Sequence, residues 1–156
     1  MGKFITGDRM AICTFFGHKD TPQKIEPILR TVIIDLIENE NVTSFYVGNN
    51  GNFDNMVRKT LKSLKSSYSY IHYAVILAYM PQNKNQENYN DYSDSVFPEE
   101  FENILPKYAI VKRNNWMLNH SDYVVSYITH TWGGAAQFKE LAEKKGKIVI
   151  NLAEMK

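Results

Sequence analysis

Short apolar runs and stretches of helical periodicity take turns along this chain, and that alternation limits what it can fold into more than any other feature. The runs are rich in β-branched and aromatic residues: "MAICTFF" at 10–16, "TSFYVG" at 43–48, "YIHYAVILAYM" at 70–80, "DYVVSYIT" at 122–129 and "KIVINLA" at 147–153. Runs with so little polar alternation suit strands covered on both faces. Between them, Ile25, Ile28, Leu29, Val32, Ile33 and Leu36 recur at helical spacing over 22–39, with Thr21 as the expected cap and Pro22 at the first helical position. Residues 53–65 repeat the pattern through Met56, Val57, Leu61 and Leu64. A further helix is expected at 114–121, and "GGAAQFKELAEKKG" becomes helical after its glycines and stops at Gly146. "KYAIVKR" at 107–113 reads as a short strand or turn. Such alternation of strands and helices predicts an α/β architecture with a mainly parallel central sheet.

The 156 residues fit one domain with a core of its own. The polar stretch "PQNKNQENYNDYSDS" has almost nothing to bury, so 81–97 is expected to leave the fold as a flexible excursion. A formal charge of +1 argues against nucleic acid as a partner and against a membrane surface. The single cysteine, Cys13, lies in an apolar run and reads as core; it excludes an internal disulfide and fits a reducing, cytoplasmic setting. The N-terminal stretch has no apolar segment of signal-peptide length, and no run reaches the length of a membrane span. Four scattered histidines and one cysteine give no metal-ligand spacing, so no metal is expected, and His72 and His120 read as structural.

In parallel sheets, ligands bind outside the carboxyl ends of the strands. Three loops hold that position: "GHKD" with Gly17 and His18, "GNNGNFD" with Gly48, Asn49, Asn50, Gly51 and Asp54, and "HTWGGA" with His130, Trp132, Gly133, Gly134 and Ala135. Glycine at a helix start lets an anion approach the unpaired amides there. Neither the dinucleotide GxGxxG fingerprint nor the GxxxxGK[ST] phosphate loop is present, and no cofactor is expected. Any one of these loops taken alone reads more readily as an ordinary tight turn; two glycine pairs in one sheet favour a ligand. His18 and His130 could contact phosphate or act as acid or base. Trp132 could stack on a base or cover the end of the sheet.

The segment "KRNNWMLNHSDYVVSYITHTWGGAAQFKEL" resembles the SLOG superfamily of Rossmann-like domains, which includes the LOG phosphoribohydrolases and the DprA/Smf and YpsA-like proteins. In the LOG pattern an arginine is followed after a three-residue gap by methionine, then by an acidic strand start and P-G-G-x-G-T-x-x-E. Arg113 and Met117 keep the first spacing, "SDYVVSYI" matches the strand, and Gly133, Gly134 and Glu140 fall on the glycine and glutamate positions. "GNNGNFDNMV" is similar to the family's earlier glycine-rich loop and "FFGH" to its first turn. The resemblance implies one Rossmann-like three-layer sandwich over 1–156 and a phosphoribosyl ligand, that is, a nucleotide or nucleotide-derived small molecule. Arg113 would orient the ligand and Glu140 would be the catalytic carboxylate. The glycine loops would meet the phosphate, and Asn49, Asn50 and Asp54 the ribose hydroxyls. A helix-mediated homodimer is also implied.

Departures from the pattern fall in the same loop. Trp132 replaces proline, Ala136 the third glycine and Gln137 the threonine whose hydroxyl would sit at the helix start. Three readings therefore stand beside one another: a domain that senses or sequesters a nucleotide derivative, a nucleoside 5′-monophosphate phosphoribohydrolase, and an interaction module with a vestigial pocket.

Overall fold

The computed structural model describes residues 10–81 and 92–155. Six strands form one sheet: β1 (Ala11–Gly17), β2 (Val42–Val47), β3 (His72–Ile76), β4 (Ser95–Val96), β5 (Tyr123–Tyr127) and β6 (Ile148–Asn151). Four α-helices accompany them among the described residues: α1 (Glu26–Asn39), α2 (Asn52–Ser67), α3 (Ala109–Asn119) and α4 (Gly134–Lys144). The strand order is β4-β3-β2-β1-β5-β6 and every pairing is parallel, so the sheet goes beyond the mainly parallel expectation.

β1 is the middle of this order, and the chain winds away from it in both directions. Parallel crossovers share one handedness, so reversing direction puts the connecting helices on the opposite face. The packing follows that rule. α1 and α2 bury Leu29, Ile33, Leu36, Phe53, Val57 and Leu61 against Cys13, Phe15, Phe45 and Val75 on one face. On the other, α3 and α4 bury Met117, Leu118, Phe138 and Ala142 against Phe16, Ile76 and Val124. Neighbouring residues of β1, Phe15 and Phe16, thus serve different cores, as the two-residue strand period requires. The result is a three-layer α/β sandwich.

Several local expectations are corrected. Residues 107–113 hold no strand: a 3-10 turn at Pro106–Tyr108 runs straight into α3, which takes in 109–113. The β-branched pair Ile110–Val111 suggested a strand, but Ala109, Arg113 and Met117 are buried at four-residue steps and make one helix face. Thr21 does not cap a helix; its hydroxyl donates back to the His18 carbonyl at 2.6 Å, and a 3-10 turn at Gln23–Ile25 precedes α1. Of the 81–97 excursion, residues 82–91 lie outside the described residues, and its last part is ordered into the sheet. Ser95 and Val96 pair with β3 as edge strand β4, and Asp94 anchors them through Arg58 (2.7 Å) and the Tyr73 hydroxyl (3.0 Å).

Candidate functional site

The crevice between β1 and β5 is where the winding reverses, and it opens into a cleft of about 640 Å³ at the carboxyl ends of the strands. Of the residues singled out in the sequence, Gly17, His18, Asn50, Asp54, Arg113, His130, Trp132, Gly133, Gly134 and Ala135 line it. Gly48, Asn49 and Gly51 line an adjoining hollow of about 240 Å³, and Asp54 borders both. Glu140 lines neither, is exposed, and lies beyond the first turn of α4, a turn that contains no acidic residue. Glu140 thus does not share the cleft lining with Arg113. Lys19, Asp20, Ile110 and Asn114 were not singled out, yet they line the cleft. Ile110, Arg113, Asn114 and Met117 could have been found together as one helical face.

Arg113 is 3% exposed although charged. Its Nε donates to Asn114 Oδ1 (2.9 Å) and its Nη1 to Asn49 Oδ1 (3.1 Å) and the Ile76 carbonyl (3.5 Å). Burial presses its pKa below the ordinary value and the Asp54 charge opposes that; a guanidinium stays cationic nonetheless. Asp54 is also buried, in the first turn of α2, where Oδ2 accepts the Asn50 amide (2.9 Å). Desolvation raises its pKa to about 6, against the lowering effects of the Asn50 amide and Arg113.

The glycines have different reasons to be glycines. A Cβ on Gly17 would fall 2.3 Å from the Phe53 ring, and one on Gly48 would fall 2.8 Å from both the Arg113 guanidinium and Asp54 Oδ2. Gly51 has φ of 99° and abuts the Lys19 backbone, while Asn52 donates to the Lys19 carbonyl at 2.8 Å. All three glycines are needed by the protein's own packing. Gly133, with φ of 98°, is required by its backbone conformation as the N-cap of α4. Gly134 has neither reason: nothing lies within 4 Å of its missing Cβ. The helix's first hydrogen bond runs from Gln137 N to Gly133 O, so the amides of Gly134, Ala135 and Ala136 have no carbonyl behind them.

Three rings stack at the mouth, two of them from the loop that leads into α4. His130 stacks on His18 at 3.9 Å and on Trp132 at 3.8 Å. The Thr129 amide donates to His18 Nε2 (3.0 Å), which that nitrogen can accept only when unprotonated. Desolvation first, then the neighbouring His130, lowers the His18 pKa, consistent with that neutral form.

The model of the YspA SLOG family (YpsA) matches residues 3–148. The chain belongs to this family. Among solved structures, a chain of DNA processing protein A from Helicobacter pylori superposes with a TM-score of 0.61 at 15% identity, covering 91% of this chain and 65% of that one. The SLOG chain thus spans about 65% of the length of the solved chain it matches, and the likeness is one of fold. No curated protein sequence matches.

The matched structure is described as showing a single-stranded DNA binding mode, which corrects the argument against nucleic acid drawn from net charge. A charge of +1 is a sum over the whole chain, whereas binding depends on the local field, and the cleft lining sets Lys19 and Arg113 beside Asp20 and Asp54. Among the described residues no group of three or more histidine, cysteine, aspartate or glutamate side chains could hold a metal ion, and no helix is long and apolar enough to cross a membrane. Cys13 is buried in the core, which raises its thiol pKa well above the ordinary value. Asp122, the acidic start of β5, accepts the Ile12 amide (3.0 Å) at the amino-terminal edge of the sheet, away from the cleft.

Proposed function

We propose that the cleft binds the phosphorylated sugar of a nucleotide derivative and holds it without cleaving it. The observation that carries this reading is Gly134. It is the one cleft glycine with no conformational or packing reason of its own, and it stands at a helix start whose first-turn amides lack partners. An anion placed there gains several N–H donors and the helix dipole. Arg113 lines the same cleft, and its fork is already fixed by Asn49 and Asn114, so little side-chain entropy is lost on binding. Asp54 lies beside it as an acceptor for sugar hydroxyls. Hydrolysis of an N-glycosidic bond needs a carboxylate at the sugar, and exposed Glu140, outside the cleft lining, gives that reaction no support.

Thermal shift against a panel of nucleoside monophosphates, with base release followed by chromatography, tests the reading. Binding raises Tm by mass action. The expected result is stabilisation with no free base, lost in Arg113→Ala and kept in Glu140→Gln. Base release that disappears in Glu140→Gln would establish the hydrolase instead. The fold shared with DNA processing protein A favours one further reading, a nucleotide held within a single strand. Backbone amides, an arginine and an aromatic stack serve either ligand, so labelled oligodeoxynucleotides belong in the same panel.

A further inference from the structure

Trp132 is 69% exposed, the most exposed of the large apolar side chains in the cleft lining. An aromatic side chain left so open is usually free to change rotamer, and this one is fixed. Its ring lies on His130 with planes 15° apart, and His130 lies on His18 with planes 18° apart. Each imidazole is tied to backbone: His130 Nδ1 to the Trp132 carbonyl at 2.9 Å, and His18 Nε2 to the Thr129 amide at 3.0 Å. His18 is itself buried at the end of β1. The three rings are therefore a pile built up from the sheet, with the indole on top. The pile does not cover the sheet end, because its top ring is mostly in water.

We propose that the indole face turned away from His130 is the platform for a nucleobase whose sugar phosphate occupies the adjoining cleft. The proposal rests on the reading above and extends it from the phosphate to the base. Trp132 immediately precedes Gly133, the N-cap of α4, so a ligand held at that helix start lies within one residue of the indole. A flat π-face recognises a planar aromatic group of any identity. Because the two imidazoles hold the ring, stacking on it costs little ordering, and the advantage goes into affinity. The base could arrive on a free nucleotide or on a single strand, since the chemistry presented to the indole is the same.

Both sources can be tested with AMP, ribose 5-phosphate and a short oligodeoxyadenylate. Tryptophan emission would be read in a Trp116→Phe background, which leaves Trp132 as the only tryptophan, and affinity by calorimetry. AMP or the oligonucleotide should quench Trp132 emission, and AMP should bind about tenfold more tightly than ribose 5-phosphate. In Trp132→Ala, a change at an exposed rim, that advantage should vanish while ribose 5-phosphate binds as before. Trp132→Phe should restore part of it. Quenching by the oligonucleotide alone, with its calorimetric affinity lowered about tenfold in Trp132→Ala, upholds the platform and assigns it to a strand. An AMP advantage that survives in Trp132→Ala, or binding without quenching, overturns the platform and leaves the phosphate reading intact. Failure of all three probes to bind overturns both.

Discussion

The two glycine-rich loops look alike in sequence and differ in what surrounds them. In "GNNGNFD" the space above the glycines is filled by Arg113, Asp54 and Lys19, the Asn50 and Asn52 amides are bonded within the protein, and the helix start carries its own carboxylate. In "HTWGGA" the space is open, the first turn has no acidic residue, and Gly133, Gly134 and Ala135 line the cleft. The first loop builds a wall that fixes an arginine, and the second leaves room for a guest. Glycine count alone does not separate the two; the neighbours of the missing Cβ do.

Substitution should expose this difference. Gly48→Ala should cost about 3 kcal/mol in urea unfolding, because the new methyl meets two buried, hydrogen-bonded side chains that have nowhere to go. A loss under 0.5 kcal/mol would mean the wall is soft (about the scatter of surface changes). The next largest effect belongs to Asp54→Asn. A carboxyl with a folded pKa raised to about 6 binds more protons in the native state than in the unfolded chain between the two values. Stability from this group is therefore complete at acid pH and falls as pH rises from about 4 to 6. Removing the charge should raise stability at pH 7.5 by at most about 3 kcal/mol, the size of a net shift that already contains the attraction of Arg113. The gain should vanish at pH 4, which melts at the two pH values would check.

The smallest stability effect should come from the second loop. Gly134→Ala sits in open space at a helical conformation and should stabilise the protein by about 0.5–1 kcal/mol. The same methyl should lower ligand-induced thermal shift sharply, since it stands where an anion would approach. If Gly134→Ala destabilises, or leaves ligand binding untouched, the contrast between the loops is lost. His18 adds a pH test of the rim. Its lowered pKa means the native state resists protonation, so its contribution should be complete above the ordinary histidine value and decline as pH falls below it, a decline absent in His18→Gln.

Much of the fold was legible because burial on both faces leaves apolar runs that are hard to read as anything except strands. Five of the six strands and the two-sided helix arrangement follow from that period. β4 was illegible for a physical reason: two residues at a sheet edge, held by an Arg58–Asp94 pair and a tyrosine hydroxyl, need no hydrophobic run. The start of α3 was obscured by β-branched residues whose propensity lost to the packing of Ala109, Arg113 and Met117. At the site, the motif spacing brought Arg113, Gly133 and Gly134 to one cleft. It also pointed to Glu140, which is exposed, lies beyond the first turn of α4 and does not line the cleft. The histidine pile is formed between residues more than a hundred positions apart and has no local signature.

That same link has a consequence for how the rim can change over time. The amides of Ile128 and Thr129 are held by side chains, Asn151 Oδ1 (3.0 Å) and His18 Nε2 (3.0 Å), rather than by a neighbouring strand. The entry loop thus hangs from two replaceable hooks while the ladder beneath it is left alone. A single substitution at position 18 or 151 would release one of these holds without removing a backbone bond of the sheet.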